Sequence, residues 1–316
     1  MSQWFYKFSL TYWLRQIFCR VIPTRPVEKA CEALLACDQS IRNVYEPIPI
    51  NKISLIWPIR RQIQKIRQKP AVLTTPDRLN KLAVIVPFRH RDKHLDQLAP
   101  ILNKILKAQG INFKLFIIEQ ADDGQPFNRG MVCNIGFDLT KNDFACFCFH
   151  DVDMVPRVAE YGGLNQPVLL SNHRVHQEGA DDYDVEDNYF GGVVLFLKEH
   201  YMRVNGFSNN YRGWGSEDHD LLIRCLYSGL TPCRLIGGVY DLLPHPISVT
   251  QTPDGQYHQD EKTLGVLASK VKRNFLMLRK MRRGLLEYKK EGLNTLSYKV
   301  ISRETCALYE KIKIEF

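Results

Sequence analysis

Two aspartates stand one residue apart in the stretch FHDVDMVP, where Asp151 and Asp153 follow an apolar run. Alternate side chains of an extended chain point the same way, so we expect both carboxylates on one side of a strand that leaves the core. Like charges at that spacing repel unless something positive lies beside them. A divalent cation such as Mn²⁺ or Mg²⁺ would balance them and could bridge two phosphates of a nucleotide. A DxD pair also occurs at ordinary turns, so the surrounding elements must decide.

Three arginines occupy comparable places. Arg89 and Arg91 follow the first predicted strand in PFRHR, and Arg129 stands in FNR at the start of a predicted helix. Guanidinium groups and helix N-termini both bind phosphate oxygens. A single arginine of this kind is usually a solvated loop residue. Three of them at one sheet edge favour an anion-binding site.

A second acidic stretch, SEDHD, places Glu217 and Asp218 in the first turn of a helix that Ser216 could cap and Gly229 could end. Acids at that position stabilise the helix dipole, which is the structural interpretation. The functional interpretation is a carboxylate aimed into a cleft as a general base. Trp214, just before it, could stack on a sugar ring. His245 in LLPHP becomes a metal ligand only if it lies near the DVD stretch.

The elements that must position these residues alternate between strand and helix. LAVIVPF (82–88) and FKLFIIEQ (113–120) predict strands, and the apolar spacing between them predicts a helix that ends at Gly110. A helix around Arg129–Leu139 and a strand FACFCFH (144–150) follow. This order predicts an α/β fold with a mostly parallel sheet and right-handed crossovers. Ligands bind beyond the carboxyl ends of such strands, where the arginines and aspartates stand.

The composition describes a globular chain of 316 residues with 45% apolar residues and a net charge of +9. Residues 1–80 hold 13 Lys/Arg and 5 Asp/Glu, which predicts a basic extension ahead of a folded domain at 81–316. Residues 1–22 fit either an amphipathic helix on an anionic membrane surface or a helix packed on its own domain. Nucleic-acid binding is disfavoured, because the predicted folded part lacks an interleaved aromatic and basic surface.

Cysteine usage and hydropathy bear on location. Nine cysteines without a CxxC pair predict buried free thiols in a reducing compartment. No run of 18 apolar residues and no cleavable signal are evident. We therefore expect a cytoplasmic protein, peripheral on the inner face of a membrane.

The ordered motifs VPFRHR, FNRGMVCNIGF, FHDVDMVP, YFGGV, NGFSNNYRGWGSEDHD and GLNTLSYKV resemble the β-1,4-galactosyltransferase family of inverting enzymes. The resemblance runs from Lys81 to the C-terminus. It implies a Rossmann-like GT-A glycosyltransferase domain that uses UDP-galactose, Mn²⁺ (or Mg²⁺) and a saccharide acceptor, either a glycan or a glycolipid intermediate, in a form we take to be bacterial.

The resemblance also implies roles for individual residues. Asp218 would be the base, Glu217 would be catalytic beside it, and Asp153 and His245 would bind the metal. Tyr189 would exclude donors with a bulky 2-substituent. The residues implied to contact the donor are Pro87, Phe88, Arg89, Arg91, Phe127, Arg129, Asp151, Val152, Tyr189, Gly192 and Trp214. Those implied to contact the acceptor are Trp214, Gly215, Glu217 and Asp218.

Three positions depart from the family pattern. His219 replaces an acid next to the base, which bears on acceptor choice. Leu242 replaces a methionine that often ligates the metal, so water or weaker binding would take its place. Cys146 matches a disulfide-bonded cysteine, but no partner is found near residue 165. A transferase for UDP-GalNAc or UDP-glucose, and a catalytically silent sugar-binding scaffold, stay open as alternatives.

Overall fold

The computed structural model describes residues 45–48, 81–163, 165–176, 183–185, 189–244 and 261–316, all of which lie in one compact unit. The predicted membrane-surface segment 1–22 and the predicted metal ligand His245 lie outside the described residues. None of the described helices combines the length and the apolarity that a membrane crossing requires.

Among the described residues, nine strands form the main sheet and four form a smaller one. The main-sheet strands are β1 (Tyr45–Pro47), β2 (Leu82–Phe88), β3 (Phe113–Gln120), β4 (Cys146–His150), β6 (Val168–Leu169), β9 (Val193–Leu197), β10 (Cys233–Leu235), β12 (Lys299–Thr305) and β13 (Glu310–Glu315). The smaller sheet holds β5 (Met154–Val158), β7 (His173–His176), β8 (Tyr183–Asp184) and β11 (Val239–Leu242). The helices are α1 (Asp92–Ala108), α2 (Arg129–Thr140), α3 (Lys198–Arg203), α4 (Glu217–Tyr227) and α5 (Glu261–Arg282), and 3-10 turns cover Tyr288–Lys290 and Leu293–Thr295.

The main sheet has the order β1-β10-β6-β9-β4-β2-β3-β13-β12. Strands β4, β2, β3 and β13 run parallel to one another, whereas β9 pairs antiparallel with β4. The predicted α/β fold is therefore confirmed, with a parallel centre inside a mixed sheet. β2, α1, β3 and α2 lie where the sequence predicts them. The strand β4 begins at Cys146 rather than Phe144.

Strand β2 is buried along its whole length because helices cover both faces of the sheet. Ala83 and Ile85 face the core that holds α2 and α4. Val84 and Val86 face the core that holds α1. A strand covered on both faces needs a continuous apolar run rather than an alternating one. The sequence LAVIVPF is such a run.

The strand β1 lies upstream of the predicted boundary at residue 80. It pairs antiparallel with β10, Tyr45 opposite Leu235. The segment 1–80, predicted to be an extension, therefore contributes at least this one strand to the sheet. A three-residue strand with the sequence YEP carries no periodicity by which it could be predicted.

The described cysteines are free. Five of them are buried and one is half-buried: Cys133, Cys146, Cys148, Cys225 and Cys233, and then Cys306. Cys146 and Cys148 lie in the same core, as their alternation predicts. The prediction of buried free thiols is confirmed for this part of the chain.

Candidate active site

An eight-residue loop, 121–128, separates the end of β3 from the start of helix α2, and Asn128 ties the two together. Its side-chain oxygen accepts from the amide of Met131, 3.0 Å away, and caps the helix. Its own amide donates to the side chain of Gln120, the last residue of β3, over 2.9 Å. Arg129 is consequently the first residue of a helix whose start is held against the sheet edge.

Arg129 joins the two acidic motifs. Its Nε lies 2.6 Å from Oδ1 of Asp151, and its Nη1 lies 2.9 Å from Oδ1 of Asp218. The guanidinium carbon lies 5.2 Å from the ring centroid of Phe207. The side chain of Arg129 is only 10% exposed, so these ion pairs are poorly screened by water. The positive partner that the sequence requires beside Asp151 is therefore an arginine.

The DVD stretch does not continue the strand. β4 ends at His150, and a tight turn follows in which the amide of Met154 donates to the carbonyl of Asp151 over 3.2 Å. The expectation that Asp151 and Asp153 share one side of an extended strand is wrong, because this turn interrupts the alternation. Burial raises the pKa of Asp151, Arg129 opposes the rise, and Asp153 adds to it. The two carboxylates are thus still electrostatically coupled.

The glycine pair after Tyr189 brings Asp151 and Asp218 together. The carbonyl of Gly192 accepts from the amide of Asp151 over 2.8 Å. A Cβ on Gly191 would lie 2.0–2.3 Å from the carboxylate atoms of Asp218. Only glycine leaves room for the carboxylate at this place, so one dipeptide fixes both acidic groups.

Helix α4 presents Glu217 and Asp218 in its first turn. Ser216 precedes the helix with φ +80°, and its side chain makes no capping hydrogen bond. The predicted serine cap is therefore wrong. Backbone geometry rather than a side chain sets the start of this helix, and the helix ends at Tyr227, two residues before Gly229.

Glu217 is 9% exposed. Its Oε2 is buried and has no hydrogen-bond partner among the described residues. Burial raises the pKa of Glu217 well above its ordinary value, Asp218 raises it further, and Arg129 opposes the rise. The structure therefore favours a neutral Glu217 that can donate a hydrogen bond.

The loop before α4 exposes Trp214. Gly213 and Gly215 flank Trp214 and both have positive φ, +72° and +96°. Glycine adopts this backbone conformation without the steric cost that a side chain would bring. The amide of Gly213 donates to the carbonyl of Phe127 over 2.8 Å, and the carbonyl of Trp214 accepts from the side chain of Asn274 over 3.2 Å. The indole is 55% exposed and free to stack on a sugar.

Tyr189 is held by two neighbours. The guanidinium of Arg174 lies 4.5 Å from its ring centroid, and the ring of His219 meets its edge with 6.1 Å between centroids. Burial raises the pKa of the Tyr189 phenol well above its ordinary value, although Arg174 opposes the rise. His219, which departs from the family pattern, thus contacts the residue predicted to select the donor.

The predicted nucleotide residues form a group around Phe127. Arg89 donates through Nη1 to the carbonyl of Gln125 over 2.8 Å, and its guanidinium lies 5.5 Å from the Phe127 ring. Burial lowers the pKa of Arg89, while Asp122 and Asp123 oppose the change. Three further predicted donor contacts, Pro87, Phe88 and Val152, are buried.

Arg91 precedes α1, and its carbonyl accepts from the amides of His94 and Leu95. It therefore lies at the helix start that follows β2, as its position in the sequence predicts. The side chains of Phe88 and Val152 are 1% and 7% exposed and pack in the core that holds α1.

The residues implied as metal ligands are only partly described. Asp153 is half-buried, and its carbonyl accepts from the amide of Leu243 over 2.8 Å. Leu242 pairs with Met154 across β11 and β5. The end of β11 therefore lies next to the DVD turn, three residues before His245 in the sequence. Carboxylate oxygen suits Mn²⁺ and Mg²⁺, and leucine has no donor atom. Within the described ranges, no three His, Cys, Asp or Glu side chains group closely enough to hold a metal.

Sequence reasoning missed a buried ionic network behind α4. Arg224 is 1% exposed; its Nε lies 2.6 Å from Asp220, and its Nη2 pairs with Glu291. Glu291 also accepts from the amide of Asn209 over 3.0 Å. The network joins α4 to the segment after α5, and the i, i+4 spacing of Asp220 and Arg224 was its one signal in the sequence.

A buried asparagine on α2 anchors the loop that carries Trp214. Asn134 accepts from the hydroxyl of Tyr201 and from the amide of Phe207 over 2.6 and 2.9 Å. It donates to the carbonyl of Phe207 and to the side chain of Asn209, both over 2.8 Å. A polar residue inside the apolar stretch GMVCNIGF was the signal that could have revealed it.

Two family models match this chain. The family model for the N-terminal region of glycosyl transferase group 7 matches residues 37–160, and the model described as the N-terminal domain of galactosyltransferase matches residues 179–246. Together they cover more than half of the chain.

Two curated relatives illustrate the similarity. Human β-1,4-galactosyltransferase 4 is 33% identical over 75% of this chain and 64% of its own length. Mouse β-1,4-galactosyltransferase 1 is 31% identical over 75% of this chain and 55% of its own length. The chain thus spans less than two thirds of the length of these relatives.

Solved structures show the same fold. The catalytic domain of Drosophila β-1,4-galactosyltransferase 7, in complex with xylobiose, matches with a TM-score of 0.56 and 27% identity over 75% of this chain and 94% of that one. A mutant of the same enzyme in complex with manganese, UDP-Gal and xylobiose matches over the same shares with a TM-score of 0.53 and 26% identity. The fold is thus the GT-A type of a glycosyltransferase. The chain belongs to the β-1,4-galactosyltransferase family, glycosyl transferase group 7.

Proposed function

We propose that this protein transfers galactose from UDP-galactose to a hydroxyl of a saccharide acceptor in β-1,4 linkage, with metal dependence and with Asp218 as the general base. One observation carries the proposal: Arg129 pairs at once with Asp151 and Asp218. The motif implied to hold the donor and the residue implied to be the base therefore meet at one buried guanidinium.

The donor side would be built from the arginines and Asp153. Arg89 and Arg91 would bind the nucleotide and its phosphates, with Phe127 beside them. Asp153 and His245 would hold Mn²⁺, the ion named with UDP-Gal in the Drosophila relative. A bound divalent ion would stabilise the negative charge on the departing UDP. The oxygen of Asp153 fits that role, whereas Leu242 offers no ligand atom.

The acceptor side would be built from the start of α4. Asp218 would take the proton from the acceptor hydroxyl as its oxygen bonds to the anomeric carbon. The bond from that carbon to the phosphate oxygen breaks, and UDP leaves with the bonding pair. Attack from the opposite face inverts the α-linked donor to a β-linked product in one displacement.

Glu217 and Trp214 would position the sugars. A neutral Glu217 can donate from its unpartnered oxygen to a sugar oxygen, and the exposed indole offers an apolar ring face. Arg129 would keep Asp151 and Asp218 from repelling each other before the donor binds.

Tyr189 would select galactose over N-acetylgalactosamine by occupying the space of the 2-substituent. Its contacts with Arg174 and His219 hold the ring in place. Replacing Tyr189 with Leu should broaden the range of accepted UDP-sugars. An unchanged donor preference in that variant would remove this role from Tyr189.

The base assignment is tested by Asp218→Asn, with Asp143→Asn on an exposed turn as the matched control. We expect Asp218→Asn to lower kcat by about 10²–10⁴-fold and to leave UDP-galactose affinity within a few-fold. The Asp143→Asn control should keep the kcat and the UDP-galactose affinity of the parent. Retention of more than a tenth of the parental kcat would exclude Asp218 as the base.

A further inference from the structure

Helix α5 and the residues after it carry a surface that mixes positive charge with exposed apolar side chains. We call it the basic face; its members are Lys272, Arg273, Phe275, Leu276, Arg279, Lys280, Arg283, Leu285 and Leu286, all exposed. Residues 272–290 hold eight Lys/Arg and one Glu, a net charge of +7, whereas residues 81–316 as a whole carry only +1. The positive charge of this part of the chain is therefore concentrated at one place.

The geometry of the helix separates its two sides. Leu278 and Met281 are buried against Ile223 of α4. Leu276 points away from them, 45% exposed. Residues three and four positions away lie on the same side of the helix as Leu276. These four residues are all cationic: Lys272, Arg273, Arg279 and Lys280. The outer side of α5 therefore presents one exposed leucine surrounded by four positively charged side chains.

The exposed apolar groups are large for a surface in contact with water. Phe275 and Leu285 are 52% and 67% exposed, and Leu286 is 39% exposed. Long cationic side chains around apolar ones are typical of helices that lie in a membrane interface, where the apolar groups enter the acyl boundary and the cations meet anionic headgroups. The expectation that the folded part lacks a mixed aromatic and basic surface is wrong here, because Phe275 lies exposed among these cations. A soluble polyanion such as a nucleic acid would satisfy the charge but leave the leucines in water.

The basic face is tied to the candidate active site. Asn274, on the buried side of α5, is 1% exposed and donates to the carbonyls of Arg212 and Trp214, both over 3.2 Å. A surface that docks through α5 is consequently linked by one side chain to the loop that exposes Trp214.

We propose that the basic face docks this protein on an anionic lipid bilayer. Resting on the proposed function, we further infer that the acceptor is a glycan carried by a lipid of that bilayer. The basic face is built from residues other than 1–22, the segment whose sequence also fits a membrane-surface helix.

Docking is tested on the full chain by co-sedimentation with vesicles of phosphatidylcholine alone and with added phosphatidylglycerol. The variant Lys272→Gln/Lys280→Gln removes two charges from the basic face. Its matched control, Lys104→Gln/Lys107→Gln, removes two exposed lysines from α1. Each surface lysine contributes to the attraction, so we expect the first variant to lower the partition coefficient on anionic vesicles by at least tenfold. The control should stay within twofold.

A second variant and its matched control test the apolar contribution to vesicle binding. Leu276→Ser should weaken partitioning by several-fold, and Ile301→Ser, which removes an apolar side chain of similar exposure on β12, should not. Equal partitioning of the basic-face variants and their controls, or binding of the parent to soluble polyglutamate but not to anionic vesicles, would overturn the proposal.

The acceptor inference has a separate readout. With a soluble acceptor, the Lys272→Gln/Lys280→Gln variant should keep the parental rate. With the same sugar on a lipid in anionic vesicles, its rate should fall in parallel with its partitioning. If the variant keeps the parental rate on both the soluble and the lipid-linked acceptor, the lipid-acceptor inference is overturned while the transferase proposal stays intact. Loss of both rates would place these lysines in the catalytic machinery and contradict the docking role.

Discussion

The two halves of the candidate site are positioned by different forces. The strand-end half, from β2 to β4, rests on strands buried on both faces, and its functional residues begin where the apolar runs end. The loop half, from 204 to 216, has almost no regular structure. It is held by side-chain hydrogen bonds from Asn134 and by the ion pairs of Arg224 with Asp220 and Glu291.

This difference predicts different sensitivities. An apolar scaffold tolerates volume-conserving changes, because its stability is spread over many contacts. A buried polar network fails when one member is removed, because the remaining groups lose their partners in a low-dielectric interior. The loop half should therefore be the more fragile. Arg129 joins the two halves and pairs with two carboxylates, so its removal should affect both activity and stability.

The largest effect is expected from Arg224→Met. It leaves Asp220 as a buried charge without its cation, so the free energy of unfolding should fall by about 3–5 kcal/mol in urea denaturation. Lys141→Met breaks an ion pair with Asp138 that is 38% and 32% exposed, and it should cost under about 1 kcal/mol. Similar losses in the two variants would mean that the loop half does not depend on its buried network.

Arg129→Met should lower kcat by about 10²–10³-fold, the loss typical of removing one oriented charged donor from an active site. Asp151 and Asp218 would then face each other without their shared cation. The matched change Arg157→Met removes a half-exposed arginine that pairs with the buried Asp241 rather than with Asp151 or Asp218, and it should leave kcat within about twofold of the parent. If Arg129→Met instead raised only the KM for the acceptor, Arg129 would belong to the acceptor site alone.

Gly191→Ala should lower kcat by about 10–100-fold, because a small displacement of a catalytic group is costly. The added methyl would meet the carboxylate of Asp218 at 2.0–2.3 Å and push it aside. Gly237→Ala adds the same methyl where nothing lies within 4 Å and serves as the control. An active Gly191→Ala enzyme would show that Asp218 need not occupy its present position.

The last prediction concerns the pH dependence of stability, to which His150 in the strand-end half contributes. Burial lowers the pKa of His150 to about 4. Between that value and about 6.5, its value in an unfolded chain, only the unfolded state binds the proton. Stability should therefore fall as the pH drops through this window, by up to about 1.4 kcal/mol per pH unit from this residue.

The variant His150→Asn removes the titration. Its unfolding free energy, measured in urea at several pH values from 4 to 6.5, should fall less steeply with decreasing pH than that of the parent. Parallel pH profiles would show that His150 does not titrate differently in the folded and unfolded chains.

The same contrast explains what the sequence could predict. The strands β2 and β3 and the helices α1 and α2 follow from apolar periodicity, which local residues decide. The placement of Arg129 at a helix start and of Asp151 at a strand end follows from these elements.

The interactions of the loop half could not be predicted in this way. Nothing local indicates that Asn209 and Glu291, 82 residues apart, share a hydrogen bond. The strand at Tyr45–Pro47 likewise depends on a partner distant in the sequence, because it pairs with Cys233–Leu235. The family motifs indicated these regions without giving their physical reason.

The most direct measurement is UDP release from UDP-galactose, UDP-GalNAc and UDP-glucose, each with xylose, glucose and GlcNAc acceptors, in Mn²⁺ and in EDTA. The proposed function predicts turnover of UDP-galactose with at least one acceptor in Mn²⁺, loss of that turnover in EDTA, and little turnover of the other donors. Preference for another donor, turnover that persists in EDTA, or no turnover while UDP still binds would contradict it.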